Sequence, residues 1–126
     1  IKTYLKNIEI KNTTLDPISL NDHLQKIKKL NIDNVILEAS SHGLKQNRLN
    51  GLNFKTGIFT NLSHDHLDYH KSFKDYLKSK LLLFQNLLKK NSNVITDINI
   101  PQYKTIKNIA KKNIRKFLLS GQKKVI

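Results

Sequence analysis

Two stretches of this 126-residue chain carry side chains that could do chemistry, and each directly follows a short apolar run. Glu38 closes the run Val35-Ile36-Leu37, and Asn61 follows the run Gly57–Thr60. The loops beyond them contain four of the chain's 5 histidines, at positions 42, 64, 66 and 70. Carboxylate and imidazole ligands suit a hard or borderline divalent cation, so these loops form a candidate metal site. The alternative is a solvated glutamate beside histidines that only make structural hydrogen bonds.

His66 and His70 are four residues apart and would share one face if the segment were helical. The stretch lacks the His-Glu-x-x-His order of zinc-binding helices, so a polar connecting loop is an equally good interpretation.

Lys80 interrupts an apolar stripe. A helix is predicted from Ser72, with Asp75 completing a capping box, to about Lys90. Its apolar stripe contains Phe73, Tyr76, Leu77, Phe84 and Leu87, and position 80 falls on the same stripe. A lysine there either extends its ammonium group to solvent or is desolvated, which lowers its pKa and makes the amine nucleophilic. A neutral amine could form a Schiff base or take up carbon dioxide to become an anionic carbamate, which could bind a metal.

Arg48 lies in the loop after Glu38 and is one of only two arginines, the other being Arg115. A guanidinium fork suits bidentate binding of a carboxylate or phosphate, although a simple surface charge is an equally good interpretation. Thr13 and Thr14, ahead of an Asp-Pro turn, offer hydroxyl and N–H groups as a weaker pattern.

The elements that position these residues alternate between strand and helix. Strands are predicted at 1–10, 35–37, 57–60, 94–96 and 117–119. A helix is predicted from Ser19, with Asp22 as its capping-box partner, to Asn31, its apolar face formed by Leu20, Leu24, Ile27 and Leu30. A last helix starts at Pro101, with Tyr103, Ile106, Ile109 and Ala110 on one face. The pattern indicates an α/β fold with a mostly parallel sheet flanked by helices, whose ligands bind at the carboxyl ends of the strands.

Four ordered motifs resemble those of the Mur ligases of peptidoglycan synthesis, and of the MurE type in particular. The stretch Glu38-Ala-Ser-Ser-His-Gly-Leu44, with Gln46 and Arg48, is similar to the signature E-[VA]-S-S-H-[AG]-L-x-Q-x-R. Residues 60–70 resemble T-N-L-[ST]-x-D-H-L-D-Y-H, and residues 12–17 resemble N-T-T-P-D-P with Leu15 in place of proline. Tyr76 to Phe84 resembles the helix that carries the family's carbamylated lysine.

The resemblance implies a role for each candidate residue. Glu38 and His66 would bind Mg²⁺, and Lys80, as a carbamate, would bind a second Mg²⁺, with Lys80 and His66 taking part in catalysis. Asn61 would contact ATP. The substrate UDP-MurNAc-L-Ala-D-Glu would be held by Thr13, Thr14, Ser40, Gln46 and Arg48. ATP would convert the glutamyl carboxylate of that substrate to an acyl phosphate, which the amine of a diamino acid, diaminopimelate or lysine, would attack.

The resemblance also implies that residues 1–126 are part of a central ATPase domain. The family's glycine-rich phosphate loop has no counterpart here, since the 4 glycines are dispersed at positions 43, 51, 57 and 121. The family's N- and C-terminal domains also have no counterpart in these residues, and we expect them to belong to the same polypeptide. We therefore predict that this chain alone does not ligate, and that the whole enzyme is cytoplasmic and serves cell-wall biogenesis, cell shape and cell division.

The net charge of +14 suggests an alternative, a basic module that binds nucleic acid or a membrane without catalysis. Almost all of the 23 basic residues are lysine, whereas base readout and phosphate clamping favour arginine. The excess is concentrated in residues 71–126, beyond most of the motif residues. Lysine, asparagine and isoleucine are all abundant, which is typical of A/T-rich coding. We therefore expect no nucleic-acid partner and no membrane insertion, and the lack of cysteine excludes disulfides and thiolate metal sites.

Overall fold

A computed structural model describes residues 13–63, 68–112 and 116–120 of the chain, with the side chains of residues 119 and 120 excepted. The chain divides into two compact units, and the boundary lies between Asn50 and Gly51. The strand predicted at residues 1–10 lies outside the described residues.

Helix α1 of the first unit spans Pro17–Lys29. The predicted start at Ser19 is wrong, because Asp16 caps the helix by accepting hydrogen bonds from the N–H groups of Ile18 and Ser19, both at 3.0 Å. Pro17 suits the first turn, where its missing N–H group would have had no helical partner. The apparent box of Ser19 and Asp22 therefore lies inside the helix.

The apolar face of α1 is partly as predicted. Leu20 and Ile27 are buried and Leu24 is half-buried, but Leu30 is 55% exposed because it lies past the last helical residue. Asn31 has a φ of 53°, a left-handed conformation that asparagine tolerates better than most residues, and the predicted stop at this position is confirmed.

The strand predicted at Val35-Ile36-Leu37 is wrong. Residues 32–40 form neither helix nor strand, and Ile36 is 89% exposed. A strand requires hydrogen bonds to a neighbouring strand, and the described part of the first unit forms none. A short apolar run shows that its side chains would be stabilised by burial, but it does not show whether a neighbouring strand is available to pair with it.

Helix α2 spans Ser41–Lys45 and falls in a stretch that we expected to be an irregular polar segment. The hydroxyl of Ser40 caps it by accepting a hydrogen bond from the N–H group of Gly43 at 3.1 Å. Five residues are too few for a helical period to be visible, and the cap was the only sequence signal.

The second unit contains a parallel three-stranded sheet in the order β1 (Phe54–Phe59), β2 (Leu88–Asp97) and β3 (Lys116–Ser120). The predicted parallel sheet is thereby confirmed, although β1 and β2 begin earlier than expected. The register of β1 against β2 shifts between Phe54 and Thr56, and the hydroxyl of Ser92 donates a hydrogen bond to the carbonyl of Phe54 at this irregularity.

Helix α3 (Phe73–Leu82) and a π-helical turn (Leu83–Leu87) connect β1 to β2, and helix α4 (Tyr103–Lys112) connects β2 to β3. Ser72 caps α3 as predicted by accepting a hydrogen bond from the N–H group of Asp75, and the Asp75 carboxylate accepts one from the N–H group of Lys71. The predicted end near Lys90 is wrong, because Leu88 already belongs to β2. Pro101 lies in the turn before α4 and not in the helix itself.

The core of the second unit forms where the helices meet one face of the sheet. Its buried residues are Phe59, Leu81, Phe84, Leu88, Val94, Ile106 and Ala110. On the other face, Ile58, Ile95 and Leu118 stand in one row across the three strands. Ile58 is 58% exposed, so the two faces differ sharply in burial. None of the helices in the described residues is both long and apolar enough to cross a membrane.

Candidate functional site

Thr14 is the centre of a hydrogen-bond network in the first unit. Its hydroxyl donates to the carbonyl of Glu38 at 3.0 Å and lies 2.9 Å from both the backbone nitrogen and the hydroxyl of Ser40. Thr14 itself is only 4% exposed. The network thus ties the turn before α1 to the loop that contains Glu38 and Ser40, which is more than twenty residues away along the chain.

Arg48, which follows α2 in the sequence, joins the same network. Its Nη1 donates a hydrogen bond to the carbonyl of Thr14 at 2.8 Å. The guanidinium has further donors in a planar fork, so one bond to Thr14 is compatible with binding an anionic group. Three of the five predicted substrate-binding residues, Thr14, Ser40 and Arg48, are therefore brought together.

Gly43 fits this arrangement because it has no side chain. A Cβ atom at position 43 would lie 2.7 Å from both Cβ and Cγ2 of Thr14, a distance that real Cβ contacts do not show. Helix α2 and the Thr14 turn can pack this closely only with glycine at position 43. Sequence reasoning missed this role, although the glycine three residues after a capping serine was visible.

The other first-unit candidates lie at the surface. The Glu38 side chain is exposed even though its carbonyl is held by Thr14, so its carboxylate is available to solvent. Thr13 and Gln46 are exposed as well, and Gln46 is the residue that ends α2.

Lys80 of the second unit lies half-buried on α3. Its burial is intermediate between that of a lysine extended into solvent and that of a desolvated amine. Its Nζ atom is 5.4 Å from the centroid of the Tyr76 ring, within the range of a cation–π contact. Tyr76 is buried and stacks on the ring of His70 with centroids 4.9 Å apart.

His70 has a structural place. It is 2% exposed, and its Nδ1 lies 3.5 Å from a carboxylate oxygen of Asp75. Of the two interpretations of this stretch, the described part fits the polar connecting loop, because His70 lies in a bend ahead of α3. His70, which the sequence placed among the titratable residues of a candidate metal site, is therefore a buried packing residue.

Asn61 is exposed just beyond the carboxyl end of β1, as expected. His66, the second predicted magnesium ligand, lies outside the described residues. Within the part of the chain that is described, no three histidine, cysteine or carboxylate side chains form a group that could hold a metal. The predicted metal ligands that can be placed are therefore Glu38 in the first unit and Lys80 in the second.

Comparison with known proteins identifies the family. The profile of the Mur ligase middle domain matches residues 1–125. This chain belongs to the Mur ligase family, as its motifs predicted.

Its similar relatives include UDP-N-acetylmuramoyl-L-alanyl-D-glutamate–2,6-diaminopimelate ligases of several bacteria. The ligase of Leptospira interrogans is 46% identical over 90 residues, which are 71% of this chain and 18% of the relative. That of Wigglesworthia glossinidia is 51% identical over 77 residues, which are 61% of this chain and 16% of the relative. That of Rickettsia bellii is 41% identical over 109 residues, or 86% of this chain and 23% of the relative.

A solved structure of a ligase of the same name covers 96% of this chain, with a TM-score of 0.78 and 34% sequence identity, and 25% of the solved chain is covered in return. The likeness confirms the predicted α/β fold. The chain spans about a fifth of the length of the relatives described above.

Proposed function

We propose that this chain is part of the middle domain of an ATP-dependent amide ligase of peptidoglycan synthesis. The reaction would join an amino acid to UDP-MurNAc-L-Ala-D-Glu. The observation that carries the proposal is the network around Thr14, which unites three motif residues and the Glu38 loop in a chain of the Mur ligase family. The relatives' names support a ligase and give no support to the alternative of a basic binding module.

The first unit would bind the UDP-linked dipeptide. Arg48 offers a planar fork for the substrate's carboxylate or phosphate oxygens, and its bond to Thr14 fixes the direction from which the fork approaches. Ser40, Gln46 and Thr13 are polar groups on the same turns and would contact the remaining polar atoms of the dipeptide.

Glu38 and His66 would bind one Mg²⁺, and Lys80, after carbamylation, would bind a second Mg²⁺. The exposed carboxylate of Glu38 fits this use, because Mg²⁺ prefers oxygen ligands and keeps part of its water shell. A carbamate would also give Lys80 oxygen ligands. Bound Mg²⁺ supplies charge neutralisation between ATP and the carboxylate that reacts. Asn61, beyond the end of β1, would contact the nucleotide.

The remaining parts of the enzyme would come from other residues of the same polypeptide, including a phosphate-binding loop and the domain that selects the diamino acid. We place the reaction in the cytoplasm, where ATP and UDP-linked precursors are available. The small share of the relatives that the chain covers supports this proposal.

An ATP-dependent ligation assay tests the proposal. We expect no turnover from the 126-residue chain and turnover of UDP-MurNAc-L-Ala-D-Glu by the complete polypeptide encoded by the reading frame. In that polypeptide, Arg48→Lys should raise the KM for the UDP-linked dipeptide about tenfold, because lysine keeps the charge and loses the fork.

Lys45→Arg is the matched control, since it changes an exposed basic residue at the end of α2, near Arg48 in the sequence, and should leave the KM within about twofold. Turnover by the isolated chain, or a complete polypeptide that does not accept the UDP-linked dipeptide, would contradict the proposal.

A further inference from the structure

We propose that Thr14 is a positioning residue, whose hydroxyl sets the direction of the Ser40 side chain and of the backbone at Glu38 and does not itself contact the substrate. The inference rests on the proposed function, since it assigns Thr14 a part within the same site. It assigns the hydroxyl of Thr14 a role different from the direct contact that the motif suggests.

The hydrogen-bonding capacity of the Thr14 hydroxyl is fully used inside the protein. A hydroxyl has one proton to donate and two lone pairs with which to accept. The carbonyl of Glu38 can only accept, so the proton of Thr14 lies on that bond. The hydroxyl and the N–H group of Ser40 must then both donate to Thr14, and these two bonds occupy both lone pairs. No hydrogen-bonding capacity is left for a substrate atom.

The same bonds determine how Ser40 is presented. Ser40 gives its proton to Thr14, and one lone pair of its oxygen accepts the hydrogen bond from the N–H group of Gly43 that caps α2. A serine oxygen with this orientation has one remaining lone pair, which can only accept. Thr14 thereby determines that Ser40 meets a substrate as an acceptor.

Thr14 is itself held from three sides, as a positioning residue must be. Its side chain packs directly against Gly43, its carbonyl accepts a bond from Arg48, and its hydroxyl is bonded to the Glu38 loop. With 4% of its surface exposed, it has little area for contact with a ligand.

Two variants of the complete polypeptide separate the hydroxyl from the shape of Thr14. Thr14→Val keeps the branched side chain and removes the three hydrogen bonds, whereas Thr14→Ser keeps the hydroxyl. We expect hydrogen exchange of the Ser40 amide to become at least about fivefold faster in Thr14→Val and to change less than about twofold in Thr14→Ser. An unchanged Ser40 amide in Thr14→Val would overturn the inference without any reference to ligand binding.

A double-mutant cycle with Ser40→Ala then distinguishes positioning from direct contact. The probe is UDP-MurNAc-L-Ala-D-Glu, with affinity measured by calorimetry. If Thr14 acts through Ser40, Thr14→Val should weaken binding at least about fivefold alone and less than about twofold in the Ser40→Ala background. An equal loss in both backgrounds would show a direct contact and overturn the inference.

The unfolding midpoint of each variant shows that the folded protein is being compared, and Thr14→Ala replaces Thr14→Val if the valine variant does not fold. If the unmodified polypeptide does not bind the UDP-linked dipeptide, the proposed function is contradicted. The hydrogen-exchange result at Ser40 does not depend on ligand binding and still tests the inference about Thr14.

Discussion

Gly43 and Thr14 show how closely individual residues are matched in the first unit. Glycine inside a helix usually costs stability relative to alanine because it loses more backbone freedom on folding. Here its lack of a Cβ atom allows the Thr14 side chain to pack against α2, and the Thr14 hydroxyl then reaches both Ser40 and Glu38. The contact outweighs the intrinsic helix preference at this position.

Gly43→Ala is therefore expected to destabilise the protein, by about 1–3 kcal/mol, although alanine is the better helix former. The added methyl group would lie 2.7 Å from Cβ of Thr14, an atom next to the backbone that cannot move by a change of rotamer. Urea-induced unfolding measures the change in the free energy of unfolding.

Asn50→Ala, at an exposed position in the turns that follow α2, is the control and should stay within about 0.5 kcal/mol. A Gly43→Ala protein as stable as the original would show that the Thr14 turn can withdraw from α2 at no cost.

At the scale of elements, helix termini depend on which of several possible caps is used. Asp16 and Ser19 are both good N-cap residues by type, and Ser19 had an acidic residue at the spacing of a capping box. The helix is capped by Asp16 because Pro17 occupies its first position and the Asp16 carboxylate accepts two backbone hydrogen bonds. The cap therefore lies three residues earlier than the predicted cap at Ser19.

The Asp16 cap should make the stability of the protein depend on pH in the acid range. Hydrogen bonds from Ser19, through its side chain and its backbone N–H, lower the pKa of Asp16 below its usual value. A carboxyl group with a lowered pKa in the folded state stabilises that state above its unfolded pKa of about 3.9, and this contribution is lost as the pH falls through the folded pKa.

We expect the unfolding midpoint of the original protein, relative to that of Asp16→Asn, to decrease as the pH is lowered from about 6 to about 2. Asparagine caps a helix without titrating, so the comparison isolates the Asp16 carboxyl group from every other carboxyl group. A difference between the two midpoints that stays constant over this range would show that the carboxyl group has the same pKa in both states.

At the scale of the whole molecule, the described sheet buries its two faces very differently. Ile106 of α4 is completely buried in the core, whereas Ile58 of β1, on the opposite face of the sheet, is 58% exposed. Parallel sheets are usually packed against other elements on both faces, so an apolar pattern suggests burial for both isoleucines. In the structure only Ile106 is buried.

Ile106→Ala should lower the free energy of unfolding by about 2–5 kcal/mol, because it leaves a cavity in a close-packed core. The same change at Ile58 removes the same atoms from a largely exposed position and should cost about 1 kcal/mol or less. Chemical denaturation of the two variants gives the comparison directly. Equal losses would mean that the exposed face of the sheet is covered in solution.

The amino-acid sequence by itself determined the family, the α/β class, the apolar faces of the helices and the types of residue in the candidate site. These follow from local patterns and short motifs, such as Ser72 with Asp75 or the Glu38–Arg48 signature, because periodicity and capping act over a few residues. The presence and order of β1, β2 and β3 were predictable for the same reason, although β1 and β2 begin earlier than predicted.

Only the tertiary structure decided that Val35–Leu37 is not a strand, that His70 is a packing residue and that the Thr14 hydroxyl is saturated by Glu38 and Ser40. Each of these depends on contacts between residues or strands that local patterns cannot specify. A strand needs a partner, a buried imidazole needs the Tyr76 ring beside it, and a hydroxyl is used up by groups that approach from more than twenty residues away. Residue type limits what a side chain can do, and the partners that the fold brings to it determine what it does.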